Sequence, residues 1–225
     1  MKLSVIVPVY NEEKTIEEII KRILKARKNL EIIVVDDASS DKTPKILKKI
    51  KSKQITVLLH QKNQGKGAAI RTALAKVSGD IVIIQDADLE YDPSEYERLI
   101  NPIIKGKAEV VYGSRFTGEH RNLLFWNFVA NHLLNLLANI LYNTTLSDLE
   151  TCYKAFKSEV IKSIRWKANR FDFEPEITAR ILKKHIYIYE MPISYVGRDY
   201  TQGKKIGFWD GVTAFWVLIK LRLMD

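Results

Sequence analysis

The sequence predicts an α/β protein with a doubly wound, mostly parallel sheet and helices on both faces of that sheet. Two observations carry this prediction. First, short runs rich in valine and isoleucine lack polar alternation, as expected for strands that are covered on both faces. These runs are residues 3–10, 31–36, 55–59, 80–85 and 109–112. Second, helical patterns separate the runs, and the repeated β-α-β order favours parallel strands joined by right-handed crossovers.

The helices between the strands are indicated by apolar stripes and by start signals. The stripe residues are Ile16, Ile19, Ile20, Ile23 and Leu24 in the first helix and Ile46, Leu47 and Ile50 in the second. Thr15 and Glu18 have the spacing of a capping box. Pro44 after Thr43 predicts a second helix start, and Asp92 before Pro93 predicts a third.

Composition places the chain among packed globular proteins. It has 225 residues, of which 46% are hydrophobic and 28% charged, and this balance excludes a disordered tail, a collagen and a disulfide miniprotein. The single cysteine, Cys152, excludes an internal disulfide and favours a reducing compartment. No secretory signal is expected, because no cationic segment precedes the apolar residues 1–10. The net charge of +9 falls mainly on residues 151–225, which carry 14 bases and 8 acids, so an anionic partner is expected there.

Residues 123–142 form an uncharged segment that is long enough to span a bilayer. A polar stripe runs along the predicted helix at every fourth position and consists of Asn127, Asn131, Asn135 and Asn139. Burying four amides in lipid without partners costs several kcal/mol each by rough transfer values, which disfavours a span. We expect a helix that lies at the membrane interface or packs on the protein; a buried core helix is the alternative.

The C-terminal segment predicts a second interfacial helix. One helical face carries the apolar residues Phe208, Trp209, Val212, Phe215, Trp216 and Ile219. Basic residues flank this face, at Lys204, Lys205, Lys220 and Arg222. Aromatic residues with neighbouring bases are typical of helices that lie on anionic lipid. The alternative is an aromatic stripe packed on the sheet.

Acidic residues gather where the predicted strands end. Glu12 follows the first strand, Asp37 the second, and Asp86, Asp88 and Glu90 the fourth. Ligands bind at the carboxyl ends of parallel strands, and such a set of carboxylates repels itself unless cations offset it. Alternation places Asp86 and Asp88 on one side, where hard oxygen ligands suit Mg²⁺ or Mn²⁺ bridged to a diphosphate. Helix caps and solvated turns are the alternative, and they suit Glu12 better than Asp86 or Asp88.

The positions of the glycines exclude two common kinds of nucleotide-binding motif. The first strand-to-helix turn has no glycine, which excludes the dinucleotide fingerprint, and Gly65-Lys66-Gly67 lacks the spacing of a Walker A loop. These glycines would let backbone approach a donor, with Lys66 supplying positive charge. A plain loop-to-helix turn is the alternative.

The successive motifs resemble the inverting GT-A glycosyltransferases of family 2. The motifs that carry this resemblance are SVIVPVYNE at 4–12, VVDDASSD at 34–41, NQGKG at 63–67 and DAD at 86–88. Four later segments resemble the polyprenyl-phosphate branch, which contains dolichyl-phosphate mannose synthases and glucosyltransferases: YGSRF at 112–116, DLETCYK at 148–154, FEPE at 173–176 and RDYTQGKKI at 198–206. The resemblance covers nearly the whole chain and implies a GT-A fold.

The resemblance also implies roles for the matching donor-site residues. Those that would line the nucleoside pocket or contact the donor are Pro8, Tyr10, Glu12, Val35, Asp37, Asp86 and Ala87. Asp88 would hold the metal beneath the diphosphate, with Glu90 as a further ligand. The implied reaction moves a hexose from GDP-mannose or UDP-glucose to a polyprenyl or dolichyl phosphate.

The resemblance also implies residues that would contact the acceptor phosphate and the donor diphosphate. Arg115 would meet the acceptor phosphate or the donor diphosphate, and Arg198 and Lys204 would neutralise the departing diphosphate. Asp148 would act as a base or as an orienting residue, with a helix cap as the alternative. Residues 1–115 would then bind the nucleotide sugar, and residues 116–225 would bind the acceptor and rest on the cytoplasmic face of the membrane as a peripheral attachment.

Three other functions compete with this interpretation. A family 2 enzyme with a hydroxyl acceptor, in polysaccharide or glycolipid synthesis, is the main alternative. A phosphatase of the haloacid-dehalogenase type also has an Asp-x-Asp pair, but usually after the first strand. A non-catalytic basic protein that binds membrane or nucleic acid leaves the acidic strand ends unexplained, and no nucleic-acid motif accompanies the bases.

Overall fold

A computed structural model of the chain describes residues 1–121, 124–197 and 208–224. The strands of the described residues are β1 (Leu3–Val9), β2 (Leu30–Asp36), β3 (Ile55–Leu59), β4 (Ile81–Ile84), β5 (Val110–Ser114), β6 (Lys154–Lys157) and β7 (Ile188–Pro192). The helices are α1 (Ile16–Ala26), α2 (Thr43–Lys49), α3 (Lys66–Leu74), α4 (Tyr96–Ile104), α5 (Phe125–Tyr142), α6 (Ser158–Ser163), α7 (Phe173–Lys183) and α8 (Phe208–Leu223). The strands form one sheet in the order β3-β2-β1-β4-β6-β5-β7.

The predicted α/β architecture is confirmed. Strands β3, β2, β1 and β4 are parallel neighbours, and Leu3 of β1 lies between Leu30 of β2 and Ile81 of β4. Nearly every residue of β1, β2 and β4 is buried, as their unbroken apolar runs predict. Helix α1 buries Ile16, Ile19, Ile20 and Ile23 of the predicted stripe in the main core, which also contains the apolar residues of the strands.

Two strands escaped the sequence prediction. Strand β6 runs antiparallel between β4 and β5, and β7 lies parallel to β5 at the sheet edge. β6 begins and ends with lysine, so it shows no apolar run. Lys154 is nevertheless fully buried, because its ammonium donates to the carbonyls of Leu149 and Thr151 and lies 4.6 Å from the centre of the Tyr112 ring.

All three predicted helix starts are confirmed, but the capping-box contact predicted at Thr15 is wrong. Pro44 lies in the first turn of α2, and the Asp92 carboxylate accepts a hydrogen bond from the Ser94 amide at 2.9 Å. Thr15 directly precedes α1, but its side chain makes no cap hydrogen bond. The hydroxyl of Thr15 instead donates to Glu12 Oε2 at 2.7 Å, because the preceding turn folds back and brings Glu12 close.

Helix α5 packs on the protein through its polar stripe, so the buried-core alternative is wrong. Asn135 Oδ1 accepts from the Leu149 amide at 2.9 Å, and Asn139 exchanges two 2.9 Å hydrogen bonds with the backbone of Leu146. The opposite face is exposed and apolar; its most exposed members are Trp126 and Ile140. Asn135 and Asn139 thus find backbone partners in the loop after α5, as polar side chains turned inward require.

Helix α8 packs on α5 and α7 through Ala214, Leu218 and Leu221, which belong to a small second core. Trp209 and Trp216 lie on the outer side and are 76% and 57% exposed. The alternative in which this aromatic stripe packs on the sheet is therefore wrong. Among the described residues, no helix combines the length and the apolar character needed to cross a bilayer.

Candidate active site at the carboxyl edge of the sheet

The carboxyl ends of β1, β2 and β4 meet at one edge, because the three strands are adjacent and parallel. A non-glycine residue with positive φ follows each of these ends: Asn11 at 52°, Ala38 at 60° and Leu89 at 66°. Such backbone is unfavourable for ordinary side chains and collects at binding sites. The strained turns mark the edge at which the sequence placed its acidic residues.

Lys66 binds two carboxylates at this edge. Its ammonium lies 2.9 Å from Asp86 Oδ1 and 2.8 Å from Glu174 Oε1, in the first turn of α7. Burial alone would lower the pKa of Lys66, but Asp86 and Glu174 outweigh it and hold that pKa well above its usual value. Lys66 therefore stays charged and fixes the Asp86 side chain.

The glycines beside Lys66 serve a different purpose from the one predicted. A Cβ on Gly65 would lie 2.3 Å from the Asn169 carbonyl oxygen, and one on Gly67 would lie 2.6 Å from that of Ala168. Gly65 also has a φ of 97°, which favours glycine. In the described structure these glycines let two protein segments approach each other, and Lys66 begins α3.

The predicted metal ligands Asp86, Asp88 and Glu90 are close in sequence but differ in their contacts. Asp88 Oδ1 accepts from the Glu90 amide at 3.2 Å, whereas Glu90 Oε2 accepts from the Tyr195 hydroxyl at 2.8 Å. Within residues 1–121, 124–197 and 208–224, no three side chains of His, Cys, Asp or Glu are grouped closely enough to hold a metal ion. Mg²⁺ usually binds through one or two carboxylates together with substrate phosphates, so Asp88 at a strained turn fits that kind of site.

The predicted nucleoside residues divide into exposed and buried groups. Tyr10 is 37% exposed and Pro8 is half-buried at the end of β1, whereas Val35 and Ala87 are buried. Glu12 is nearly buried and accepts from Thr15.

Asp37 is turned into the protein. Its carboxylate lies 2.6 Å from His60 Nδ1 and accepts from the amides of Gln64 and Gly65 at 2.9 and 2.7 Å. Thr72 holds the other ring nitrogen of His60 at 2.9 Å. Asp37 thereby fixes the loop that leads to Lys66.

Arg115 and Asp148 form a buried bidentate pair. Arg115 Nε and Nη2 donate to the two Asp148 oxygens at 2.8 and 2.7 Å, and the Arg115 amide donates at 2.9 Å. Asp148 is fully buried, and this geometry makes it an orienting residue for the guanidinium. Within the described residues, Arg115 Nη1 donates to no protein acceptor.

Tyr195 joins the acidic edge to Arg115. Its hydroxyl donates to Glu90, and its ring centre lies 5.2 Å from Arg115 Cζ. Tyr195 is therefore the one side chain between Glu90, a predicted metal ligand, and Arg115, which is predicted to contact a phosphate. Arg198 and Lys204 lie outside the described residues.

Gln85, Glu174 and Tyr195 were not predicted as site residues. Buried Gln85 accepts from the hydroxyls of Tyr96 and Tyr153 and donates to the Asp86 carbonyl, so it anchors the end of β4. Glu174 lies in the FEPE segment, which was quoted only for its resemblance. Tyr195 follows an edge strand and carries no signal in a single sequence.

Comparison with known proteins identifies the family. Residues 4–165 match the family described as Glycosyl transferase family 2. An undecaprenyl-phosphate 4-deoxy-4-formamido-L-arabinose transferase from Edwardsiella ictaluri is 30% identical over 209 residues; the match covers 90% of this chain but only 62% of the relative. A UDP-N-acetylglucosamine–dolichyl-phosphate N-acetylglucosaminyltransferase from Methanococcus voltae is 29% identical, and the match covers 98% of this chain and 96% of the relative.

A solved structure supports the fold. The glucosyl-3-phosphoglycerate synthase of Mycobacterium tuberculosis, in complex with Mn²⁺, UDP-glucose and phosphoglyceric acid, superposes with a TM-score of 0.76 at 22% identity. The match covers all of this chain and 80% of that protein. The predicted GT-A fold is thereby confirmed, and the chain belongs to glycosyl transferase family 2 and is a glycosyltransferase.

Proposed function

We propose that this enzyme transfers a hexose from a nucleotide diphosphate sugar to a polyprenyl or dolichyl phosphate, with Mg²⁺ or Mn²⁺ as cofactor. The observation that carries the proposal is the bridge made by Tyr195 between Glu90 and the Arg115 guanidinium. It puts a buried cation with an uncommitted nitrogen beside an acidic sheet edge, which suits an anionic acceptor. The two curated relatives described above are named for lipid-phosphate acceptors, which supports the same assignment. GDP-mannose and UDP-glucose are the donors we propose.

The donor would bind at the ends of β1, β2 and β4. Asp88 would hold the cation beneath the diphosphate, with Asp86 and Glu90 next to it. A bound cation would offset the negative charge that builds on the departing diphosphate. Lys66, Arg198 and Lys204 would add positive charge to that group, while Pro8, Tyr10, Glu12, Val35, Asp37 and Ala87 would shape the nucleoside pocket. Asp37 would act there by fixing the loop after β3.

The acceptor would bind at Arg115. A phosphomonoester loses its second proton near pH 6, so at neutral pH it is mostly a dianion and attacks without a strong base. This removes the need for Asp148 to take a proton and agrees with its buried contact to Arg115. Asp148 would hold the guanidinium in place while the acceptor oxygen attacks the anomeric carbon from behind.

The second half of the chain would rest on the membrane. Helix α5 uses its asparagines to hold the 146–149 loop that carries Asp148, and its opposite face is apolar and exposed. Trp209 and Trp216 of α8 are also exposed. A lipid surface against these faces would bring Arg115 close to the head groups. We therefore propose that residues 1–115 bind the donor and that residues 116–225 bind the acceptor as a peripheral attachment at the cytoplasmic face.

A transfer assay tests the function. The protein is supplied with Mn²⁺, labelled GDP-mannose or UDP-glucose, and either polyprenyl phosphate or the free polyprenol in micelles. We expect label in the phosphate-linked lipid only, and a loss of at least ~100-fold in rate for Asp88→Asn because a charge-stabilising group is removed. Asp92→Asn is the matched control, since asparagine also caps a helix. Transfer to the alcohol alone would support the hydroxyl-acceptor alternative, and full activity of Asp88→Asn would contradict the metal role.

Vesicle sedimentation tests the membrane surface. We expect the protein to sediment with vesicles that contain anionic lipid, and Trp209→Ala with Trp216→Ala to weaken binding by ~10-fold, since exposed tryptophans favour the interface. Tyr187→Ala is the control, because Tyr187 is 90% exposed but lies outside α5 and α8. Equal binding by the double variant and the wild type would remove these tryptophans from the docking surface.

A further inference from the structure

Two glutamates near the site keep a buried carboxylate oxygen without a hydrogen-bond donor among the described residues: Glu150 Oε1 and Glu174 Oε2. Glu174 is only 3% exposed, and its other oxygen lies 2.8 Å from the Lys66 ammonium. A buried acceptor without a donor is rare, because the group has lost its water without replacement. Each of these oxygens therefore needs either a proton of its own or a ligand that donates.

The two side chains connect to the predicted donor and acceptor sides of the site. The Lys66 ammonium contacts both Glu174 and Asp86, so it links Glu174 to the predicted donor site. Glu150 is two residues beyond Asp148, within the electrostatic influence of Arg115. The transferred sugar would lie between the donor side and the acceptor side, because its anomeric carbon is flanked by the leaving diphosphate and the attacking phosphate.

Their chemistry suits a polyhydroxyl ligand. Burial first, and then the charge of Glu174, raise the pKa of Glu150 to about 8, against the opposing effects of Lys154 and Arg115. Near neutral pH this carboxyl group is mostly protonated and can both donate and accept, while Glu174 remains paired with Lys66. Sugar hydroxyls also donate and accept, so they can satisfy both side chains.

We propose that Glu150 and Glu174 form the subsite that binds the hydroxyl groups of the transferred sugar and selects for them. This inference rests on the proposed function. A site built around buried acceptors rejects an analogue that lacks the matching hydroxyl, because the acceptor then stays unpaired. The pair therefore sets donor-sugar specificity, while Asp88 and Lys66 serve the diphosphate.

The test measures how much the sugar contributes to donor affinity, apart from the contribution of the nucleotide diphosphate. Titrations with Mn²⁺ give the affinities of UDP and UDP-glucose, or of GDP and GDP-mannose, for the wild type, Glu150→Gln and Glu174→Gln. We expect the ratio of the nucleotide-sugar affinity to the diphosphate affinity to fall by ~10-fold in each variant, a typical effect of disturbing a buried hydrogen bond. Using this ratio cancels any effect of Glu174→Gln on Lys66. Glu176→Gln is the control on the same helix, since Glu176 is buried but already bonded to the Lys167 and Ala168 amides and to Arg180; it should leave the ratio unchanged.

A second arm needs no protein variant. Wild-type enzyme is assayed with donors that lack one sugar hydroxyl, and we expect kcat/KM to fall by at least ~100-fold for one or more positions. Equal kcat/KM for all deoxy donors, or an unchanged affinity ratio in both glutamine variants, would overturn the subsite. If neither diphosphate nor nucleotide sugar binds, the proposed function fails as well, and that outcome is distinct from loss of the sugar's contribution alone.

Discussion

Glu31 and Glu150 are half-buried glutamates at opposite edges of the sheet, and their surroundings differ. At the amino edge, Glu31 accepts from Lys2 Nζ and Ser4 Oγ, each at 2.6 Å, and from the amide and hydroxyl of Ser78. Burial alone would raise the pKa of Glu31, but these donors lower it to about 2. At the carboxyl edge, Glu150 Oε1 receives no hydrogen bond within the part of the chain that the structure describes, and burial raises the pKa of Glu150 to about 8.

The two glutamates differ in how many hydrogen-bond donors the described residues supply to their carboxyl groups. The amino edge satisfies its charge with its own side chains, so its acidic group adds to folding stability. The carboxyl edge combines strained turns with Glu150, whose Oε1 receives no hydrogen bond from the described residues. Ionising such a group costs stability unless a ligand donates to it. Such a conflict between local preference and global fold is expected at functional sites.

The larger of two expected stability effects is at the amino edge. Glu31→Gln should lower Tm by about 5 °C at pH 7, because a charged acceptor of several hydrogen bonds is lost. The folded-state pKa of Glu31 is lowered, so its contribution is present above the unfolded pKa near 4.5 and is lost as the pH falls towards 2. Thermal unfolding from pH 2 to 8 should show the two proteins converging at the acid end.

Glu17→Gln is the control for this experiment, because the Glu17–Lys21 pair is exposed and contributes little. A Glu31→Gln difference that stays constant between pH 7 and pH 2 would contradict the account of the amino edge.

A smaller effect of opposite sign is expected at the carboxyl edge. The folded-state pKa of Glu150 is raised, so ionising this group costs stability as the pH rises from the unfolded value of 4.5 to about 8. Glu150→Gln should therefore match the wild type near pH 4.5 and exceed its Tm by about 3 °C at pH 8.5. The same unfolding series measures this difference. If the gap failed to grow with pH, the proposed environment of Glu150 would be wrong.

Sequence reasoning went furthest where local patterns determine structure. Unbroken apolar runs predicted β1 to β5. The acids that follow β1, β2 and β4 lie at one edge of the sheet, as predicted, because parallel strands end together. The same reasoning missed β6, since a pattern rule counts Lys154 as exposed although carbonyls and an aromatic ring satisfy it in the core. It also left open which face of α5 meets the protein, which the loop after α5 decides.

Partners that lie far apart in sequence were beyond local patterns. The contact between Lys66 and Glu174 joins the starts of two helices, and no spacing rule connects them. Tyr195 reaches Glu90 from the segment after an edge strand. The sequence predicted a role for Asp148 but not its partner; the structure shows that Arg115 occupies both of its oxygens.

The most direct test of the central claim is a titration of UDP and GDP into the protein with Mn²⁺ and again with a chelator. We expect one diphosphate to bind the wild type with Mn²⁺ and the chelator to weaken that binding by at least ~10-fold. Asp88→Asn should weaken it similarly, since a carboxylate and phosphates share such an ion. Equal affinity in all three conditions, or no binding of either diphosphate, would contradict the claim that the acidic sheet edge holds a metal-bound nucleotide sugar.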